Sequence, residues 1–183
     1  PTRLKQWVDC PHSYFMRYVL GVDEPESFRH EFRISPLIRG SLIHEAADRF
    51  FHDQVSKGTP PGPDRQYSED DISLMRQIGI EVATELETQG LVGRPLFWNR
   101  DREQLLNDLV GILKYDHQRE PRGTVVATEL KFGLPDGDFP PLKRNLPSGR
   151  TVDFRGSIDR VEKTDAGTLV VVDYKTGKID SYK

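Results

Sequence analysis

The apolar pattern of this 183-residue chain changes once, between Pro121 and Gly123, and that change restricts its fold more than any other feature. Before it, apolar side chains recur at helical spacing; after it, they follow the shorter rhythm of strands. Leu4, Trp7, Val8, Tyr14, Phe15, Tyr18 and Val19 predict helix over Thr2 to Leu20, cut into two short pieces by Cys10-Pro11. Gly21 to Pro36 is polar and turn-rich. Gly40 to Phe51 is amphipathic, with Leu42, Ile43, Ala46, Ala47, Phe50 and Phe51 on one face and Glu45, Asp48, Arg49 and His52 opposite. Ser56 to Arg65 is a Gly/Pro loop, followed by predicted helices over Glu69 to Glu87 and Arg100 to Gln118. Beyond the switch, Thr124 to Phe132, Thr151 to Val161 and Leu169 to Lys175 predict three strands. Leu134 to Leu146 reads as a loop, and Thr164-Asp165-Ala166-Gly167 as a hairpin turn. Helices followed by successive strands predict an α+β fold with a three-stranded antiparallel meander.

Bulk composition narrows the function classes. A chain of 36% hydrophobic and 30% charged residues is a rather polar globular composition, and its length suits one domain. No apolar run reaches the roughly 18 residues that cross a bilayer, so no membrane partner is expected. One cysteine excludes an internal disulfide framework and fits a reducing compartment. With a net charge of −3, composition gives no sign of nucleic-acid binding, which would need a local patch or a bound metal.

Leu169-Val170-Val171-Val172-Asp173-Tyr174-Lys175-Thr176-Gly177 carries the most chemistry. Four apolar residues read as a buried strand that ends in a carboxylate and an ammonium two positions apart. Alternation sends Asp173 and Lys175 to one side and Tyr174 to the other. A carboxylate that holds a divalent cation, beside an ammonium that steadies phosphate charge, suits metal-dependent phosphodiester hydrolysis. Taken by itself, the tripeptide fits a surface salt bridge at a strand end, followed by a turn at Thr176-Gly177, better than a metal site. The predicted hairpin sets Asp159 across from Asp173, and two carboxylates sharing a site favour a cation between them. His44 lies at the edge of the apolar face of its helix, from where it would reach a sheet edge as a ligand or simply flank the helix.

Four blocks in order resemble the RecB-like branch of the PD-(D/E)xK nuclease superfamily. They are Leu4-x-x-Trp7-x-x-Cys10-Pro11-x-x-Tyr14-Phe15-x-x-Tyr18-x-Leu20, Gly40-x-x-x-His44, Gly156-x-x-Asp159-Arg160 and Asp173-Tyr174-Lys175-Thr176-Gly177. The resemblance implies a restriction-endonuclease-like core in a single nuclease domain over 1–183. Within it, 1–55 would hold the N-terminal helices including that of His44, 56–122 a helical insertion, and 123–183 the meander. It implies His44, Asp159, Asp173 and the Tyr174 backbone carbonyl as metal ligands, with Lys175 as the catalytic lysine beside Asp173 and Asp159. Mg²⁺ is the expected ion and Mn²⁺ a substitute. Arg160 would be a structural cation or a DNA phosphate contact. Glu129 would either back the metal ligands or be an ordinary paired or solvated glutamate.

Some relatives bind a 4Fe-4S cluster through one cysteine of the first block and three beyond the nuclease core. Cys10 fits that first position, so a cluster would need a longer parent chain; otherwise Cys10 is a buried thiol. Relatives also continue past the Asp-x-Lys strand with a further helix and strand, which makes a fragment of a longer protein the expectation. The implied function is a DNA exonuclease domain of a bacterial helicase–nuclease in double-strand-break repair. It would act on DNA ends or single strands, with a helicase module or subunit as partner, in the nucleoid-associated cytoplasm. The rival is a non-catalytic DNA-binding or scaffold module that keeps the fold.

Overall fold

The computed structural model describes residues 2–22 and 32–175. Part of the polar Gly21 to Pro36 stretch, and Thr176-Gly177 of the last motif, therefore lie outside the described residues. The chain divides into two compact units, Pro1–Glu31 and Phe32–Lys183.

In the first unit, α1 (Thr2–Asp9) and α2 (Pro11–Tyr14) are followed by a five-residue π turn, Phe15–Val19. The break falls where Cys10-Pro11 predicts it. Pro11 occupies the first helical position, where its missing N–H costs nothing, and Cys10 Sγ accepts from the Ser13 N–H. The Trp7 and Tyr14 rings meet edge to face, and the Arg3 guanidinium lies 4.8 Å from the Tyr18 ring centroid. Cys10 is exposed in the described structure, contrary to the buried thiol that was one of its two expected roles.

The second unit is built on three long helices, α3 (Pro36–Ser56), α4 (Glu69–Thr88) and α5 (Pro95–Gln118). Each begins where local chemistry favours a start. Ser35 Oγ accepts from the Ile38 N–H ahead of Pro36, while Ser68 and Asp71 cap α4 reciprocally. Pro95 lets α5 begin five residues before the periodicity predicts, because polar Asn99, Arg100 and Asp101 hide the first turn from an apolar count. Phe50 and Phe51 of α3, Met75 of α4, and Leu105 and Leu109 of α5 form the centre of the core. At the α4–α5 contact Gly79 is required: a Cβ there would lie 2.6 Å from Leu109 Cδ1 and 2.8 Å from Leu106 Cδ2.

Against the helices lies an antiparallel sheet of order β1-β4-β5: Thr124–Phe132, Gly156–Lys163 and Leu169–Val172. The predicted meander is present, and the turn at Thr164 to Gly167 closes with Gly167 at φ 80. Three expectations change. The strand predicted over Thr151 to Val161 is two: β3 (Thr151–Phe154) leaves the sheet and β4 begins at Gly156. The stretch Leu134 to Leu146, expected to be loop, contains β2 (Leu142–Asn145), which pairs with β3 as a separate two-stranded arm. The Pro and Gly residues around it hid a four-residue strand. Finally, β5 is exposed on one face and only partly buried on the other: Leu169 and Val171 are 63% and 62% exposed, and Val170 and Val172 are intermediate. A continuous apolar run does not reveal that the strand is an edge.

Candidate metal centre

The sheet register builds the site. Flanking pairs Thr128↔Arg160 and Leu130↔Ile158 set Glu129 level with Asp159. On the other side Arg160↔Val172 sets Asp159 level with Asp173, one residue past the end of β5. Three carboxylates therefore form a row across the three chain segments. Like charges directly opposite one another in a sheet destabilise it unless something neutralises them. Strict alternation fails on β1, where the register shifts between Val125 and Ala127 and Glu129 takes φ 42. A non-glycine residue held there stores on the order of 1–3 kcal/mol of strain. Glu129 Oε2 accepts from Ser157 Oγ at 2.9 Å, which fixes the carboxylate over the sheet.

From α3, the His44 ring reaches over this row. Its Nδ1 lies 3.4 Å from Asp159 Oδ2 and its Nε2 is 2.9 Å from the Tyr174 carbonyl oxygen. Asp159 Oδ2 also accepts from the Tyr174 N–H at 2.7 Å. One ligand atom from each of His44, Glu129 and Asp159 lies within 4.8 Å of the others. An imidazole nitrogen and two carboxylates, with a backbone carbonyl beside them, form a donor set that suits a hard or borderline divalent cation. Asp173 stands outside that cluster and forms an ion pair with Lys175; both side chains are about half exposed. The two point to one side, while Tyr174 turns inward against the Phe51 ring.

Beneath the cluster is a buried ionic network that the sequence did not announce. Arg160, expected to be a structural cation or a DNA contact, is fully buried and bonded to Asp116 and Glu162. That burial supports the structural role. Its guanidinium lies over the Phe51 and Tyr174 rings, 4.2 and 5.6 Å from their centroids. Arg119 bridges Asp116 and Glu162, the Tyr67 hydroxyl donates to Asp116 at 2.6 Å, and Glu162 accepts from the Gly123 N–H. Burial alone would push the Asp116 carboxyl up. The Arg160 charge foremost, with hydrogen bonds from Tyr67 and Arg160 and the charge of Arg119, outweighs it and holds Asp116 below its ordinary value. Burial drives the Tyr174 phenol well above its usual range. Tyr174 is thus neutral, and its ring wedges between Arg160 and the His44 helix. The only sequence signal for this network was the spacing of Arg160 and Glu162, two residues apart and so on the same face of β4 as the helices.

A groove of about 820 Å³ opens beside Asp173 and Lys175, between α3, α5 and the end of β5. Arg39, Asp108, Tyr115 and Arg160 are among its walls. Arg39 and Asp108 pair across it.

An α+β fold in which a helix contributes a histidine and a meander contributes carboxylates defines a nuclease-type architecture. The chain belongs to the PD-(D/E)XK nuclease superfamily, whose family model matches residues 1–182. It is similar to the B subunit of the ATP-dependent helicase/deoxyribonuclease of Clostridium tetani, with 31% identity over 188 residues. It is 32% identical to the protein of the same name from Desulforudis audaxviator and 28% identical to that from Geobacillus kaustophilus. These alignments cover 96% to 98% of the chain, which spans about 15% of the length of each curated relative.

Proposed function

We propose that this chain is the nuclease domain of a bacterial helicase–nuclease and hydrolyses phosphodiester bonds of DNA ends or single strands with Mg²⁺. The observation that carries the reading is the convergence of His44, Glu129 and Asp159 beside the Asp173–Lys175 pair. His44, Asp159, Asp173 and the Tyr174 carbonyl would hold the ion, with Glu129 as a further carboxylate; Mn²⁺ would substitute. A divalent cation held there acidifies a water and neutralises charge on the phosphate.

The chain's own residues supply the rest. Tyr174 positions both sides of the cluster, its N–H donating to Asp159 and its carbonyl accepting from His44. The Lys175 ammonium, exposed at the mouth of the groove, orients the attacking water or steadies charge on the phosphoryl oxygens. In hydrolysis the water oxygen bonds to phosphorus, the phosphorus–oxygen ester bond opposite it breaks, and a water proton ends on the departing sugar oxygen. Asp173 holds the Lys175 ammonium in place between turnovers through their ion pair. The helicase partner rests on the names of the relatives, while a role in break repair and a nucleoid-associated cytoplasmic location rest on the family resemblance alone. Among the described residues no helix is long and apolar enough to cross a membrane. A 4Fe-4S cluster through Cys10 remains a proposal for a longer parent chain.

The test uses the full-length protein on end-labelled single- and double-stranded DNA, with Mg²⁺ or EDTA. Asp173→Ala and Lys175→Ala are each expected to abolish Mg²⁺-dependent degradation while the protein stays folded. Undiminished cleavage by either variant would sink the assignment.

A further inference from the structure

The β2–β3 arm has no role in the site just described, yet it begins where that site ends. Gly156, the first residue of β4, is three residues before Asp159, and Phe132, the last of β1, is three after Glu129. The arm is therefore the outward continuation of the two strands that hold the metal cluster. Its base is fixed: a methyl group at Gly133 would come within 2.7 Å of Arg155 Cγ and 2.9 Å of Pro141 Cα. The Gly133 N–H also donates to the Phe139 carbonyl at 2.8 Å. Beyond that base every residue from Leu142 to Thr151 is exposed.

Its charge reverses that of the chain. Lys143, Arg144, Arg150 and Arg155 face a single carboxylate, Asp153, in a chain whose net charge is −3. Asp153 is already paired with Lys143 at 3.8 Å. Among the described residues Arg144, Arg150 and Arg155 have no ion-pair partner. The register places Arg144 opposite Val152 and Leu142 opposite Phe154. Alternation puts Leu142, Arg144, Arg150, Val152 and Phe154 on one face. Guanidinium groups interleaved with an exposed aromatic ring (Phe154 is 36% exposed) match a sugar–phosphate backbone with bases to stack. A duplex, whose bases are already stacked on one another, offers the phosphates without a free base face.

We infer that the β2–β3 arm is a single-stranded DNA grip, which holds the strand outside the metal cluster through Arg144 and Arg150 and stacks a base on Phe154. This rests on the nuclease reading and adds to it where the substrate runs. At about 3.3 Å per residue, Arg144, level with Val152, lies at most about 23 Å from Asp159 and Arg150 at most about 30 Å. Substrates too short to reach the arm should not sense it.

The experiment uses the full-length protein, its Arg144→Ala/Arg150→Ala and Arg144→Lys/Arg150→Lys variants, and an oligothymidylate carrying 4-thiothymidine. Cross-linking in EDTA, mapped by mass spectrometry, is expected to label residues between Leu142 and Arg155. In Mg²⁺ the alanine variant should raise KM on long single strands about tenfold or more with kcat unchanged, and leave KM on a trinucleotide alone. The slope of log KM against log salt should fall by about 1.4, at about 0.7 per lost phosphate contact, and the lysine variant should restore it. Cross-links to the arm without Mg²⁺-dependent cleavage would keep the grip and discard the nuclease reading. Mg²⁺-dependent cleavage with no cross-link to the arm and an unchanged KM would overturn the grip. Unchanged KM with loss of an associated protein from the alanine variant would also overturn it, in favour of a protein contact.

Discussion

Asp116→Asn is the sharpest test of how the buried network supports the site. The carboxylate of Asp116 meets Arg160, Arg119 and the Tyr67 hydroxyl, with Arg122 at 3.8 Å, and its side chain is 5% exposed. Three guanidinium groups share two carboxylates there, so neutralising Asp116 leaves the buried Arg160 and Arg122 and the partly buried Arg119 with Glu162 alone. Removing one partner of a buried pair costs about 3–5 kcal/mol, because the remaining charge stays desolvated. Arg160→Met is the instructive comparison. It leaves two cations against two carboxylates, with Arg119 still bridging both, so its cost should sit below that of Asp116→Asn despite the larger side chain removed. The assay is native-state hydrogen exchange of the β4 and α5 amides in the full-length protein. For Asp116→Asn the most protected amides should exchange faster by about two to four powers of ten, at about 1.4 kcal/mol per decade. Exchange accelerated less than tenfold, or a larger effect from Arg160→Met, would refute the charge count.

The same carboxyl predicts a pH dependence. The pKa of Asp116 is depressed in the folded state, so its stabilisation is complete above the unfolded carboxylate value near 3.9 and is lost as pH falls through the folded one. Acid unfolding followed by circular dichroism should therefore be flatter below about pH 4 in Asp116→Asn than in the parent, and identical slopes would contradict the assignment. Glu129→Gln should weaken divalent-cation binding about tenfold or more by isothermal titration, since it removes one of the clustered carboxylates; an unchanged affinity would leave Glu129 as a sheet residue only. Gly79→Ala should destabilise the α4–α5 contact by about 1 kcal/mol. Overpacking against Leu109 and Leu106 costs about 1–3 kcal/mol and the gain in helix propensity returns about 1, so a stabilised variant in the same exchange measurement would show that those side chains yield freely.

Local chemistry made much of this protein legible from its sequence. Ser35-Pro36 and Ser68 mark helix starts, Cys10-Pro11 marks a break, and Thr164 to Gly167 marks a turn; each acts within a few residues and needs no partner. The α+β order and the exposed Asp173–Lys175 pair follow from periodicity in the same way. What failed to show was whatever depends on pairing. The short β2 strand exists because β3 lies beside it, and β5 is half exposed because, among the described residues, nothing covers the sheet face that carries Leu169 and Val171.

The site divides along the same line. Spacing in a strand put forward Asp159, Asp173 and Lys175 as residue types with suitable chemistry, since it fixes which way neighbours point, while the ligand roles of His44 and the Tyr174 carbonyl came from the family resemblance. Only the tertiary structure decided that a shifted register on β1 and a left-handed backbone at Glu129 bring a further carboxylate level with Asp159. Only it put Arg160 inside, because β4 packs against α3 and Asp116 of α5 reaches in to receive the charge. Long-range contacts choose among the roles that a residue's chemistry permits, since desolvation and pairing are properties of the neighbours and not of the residue itself.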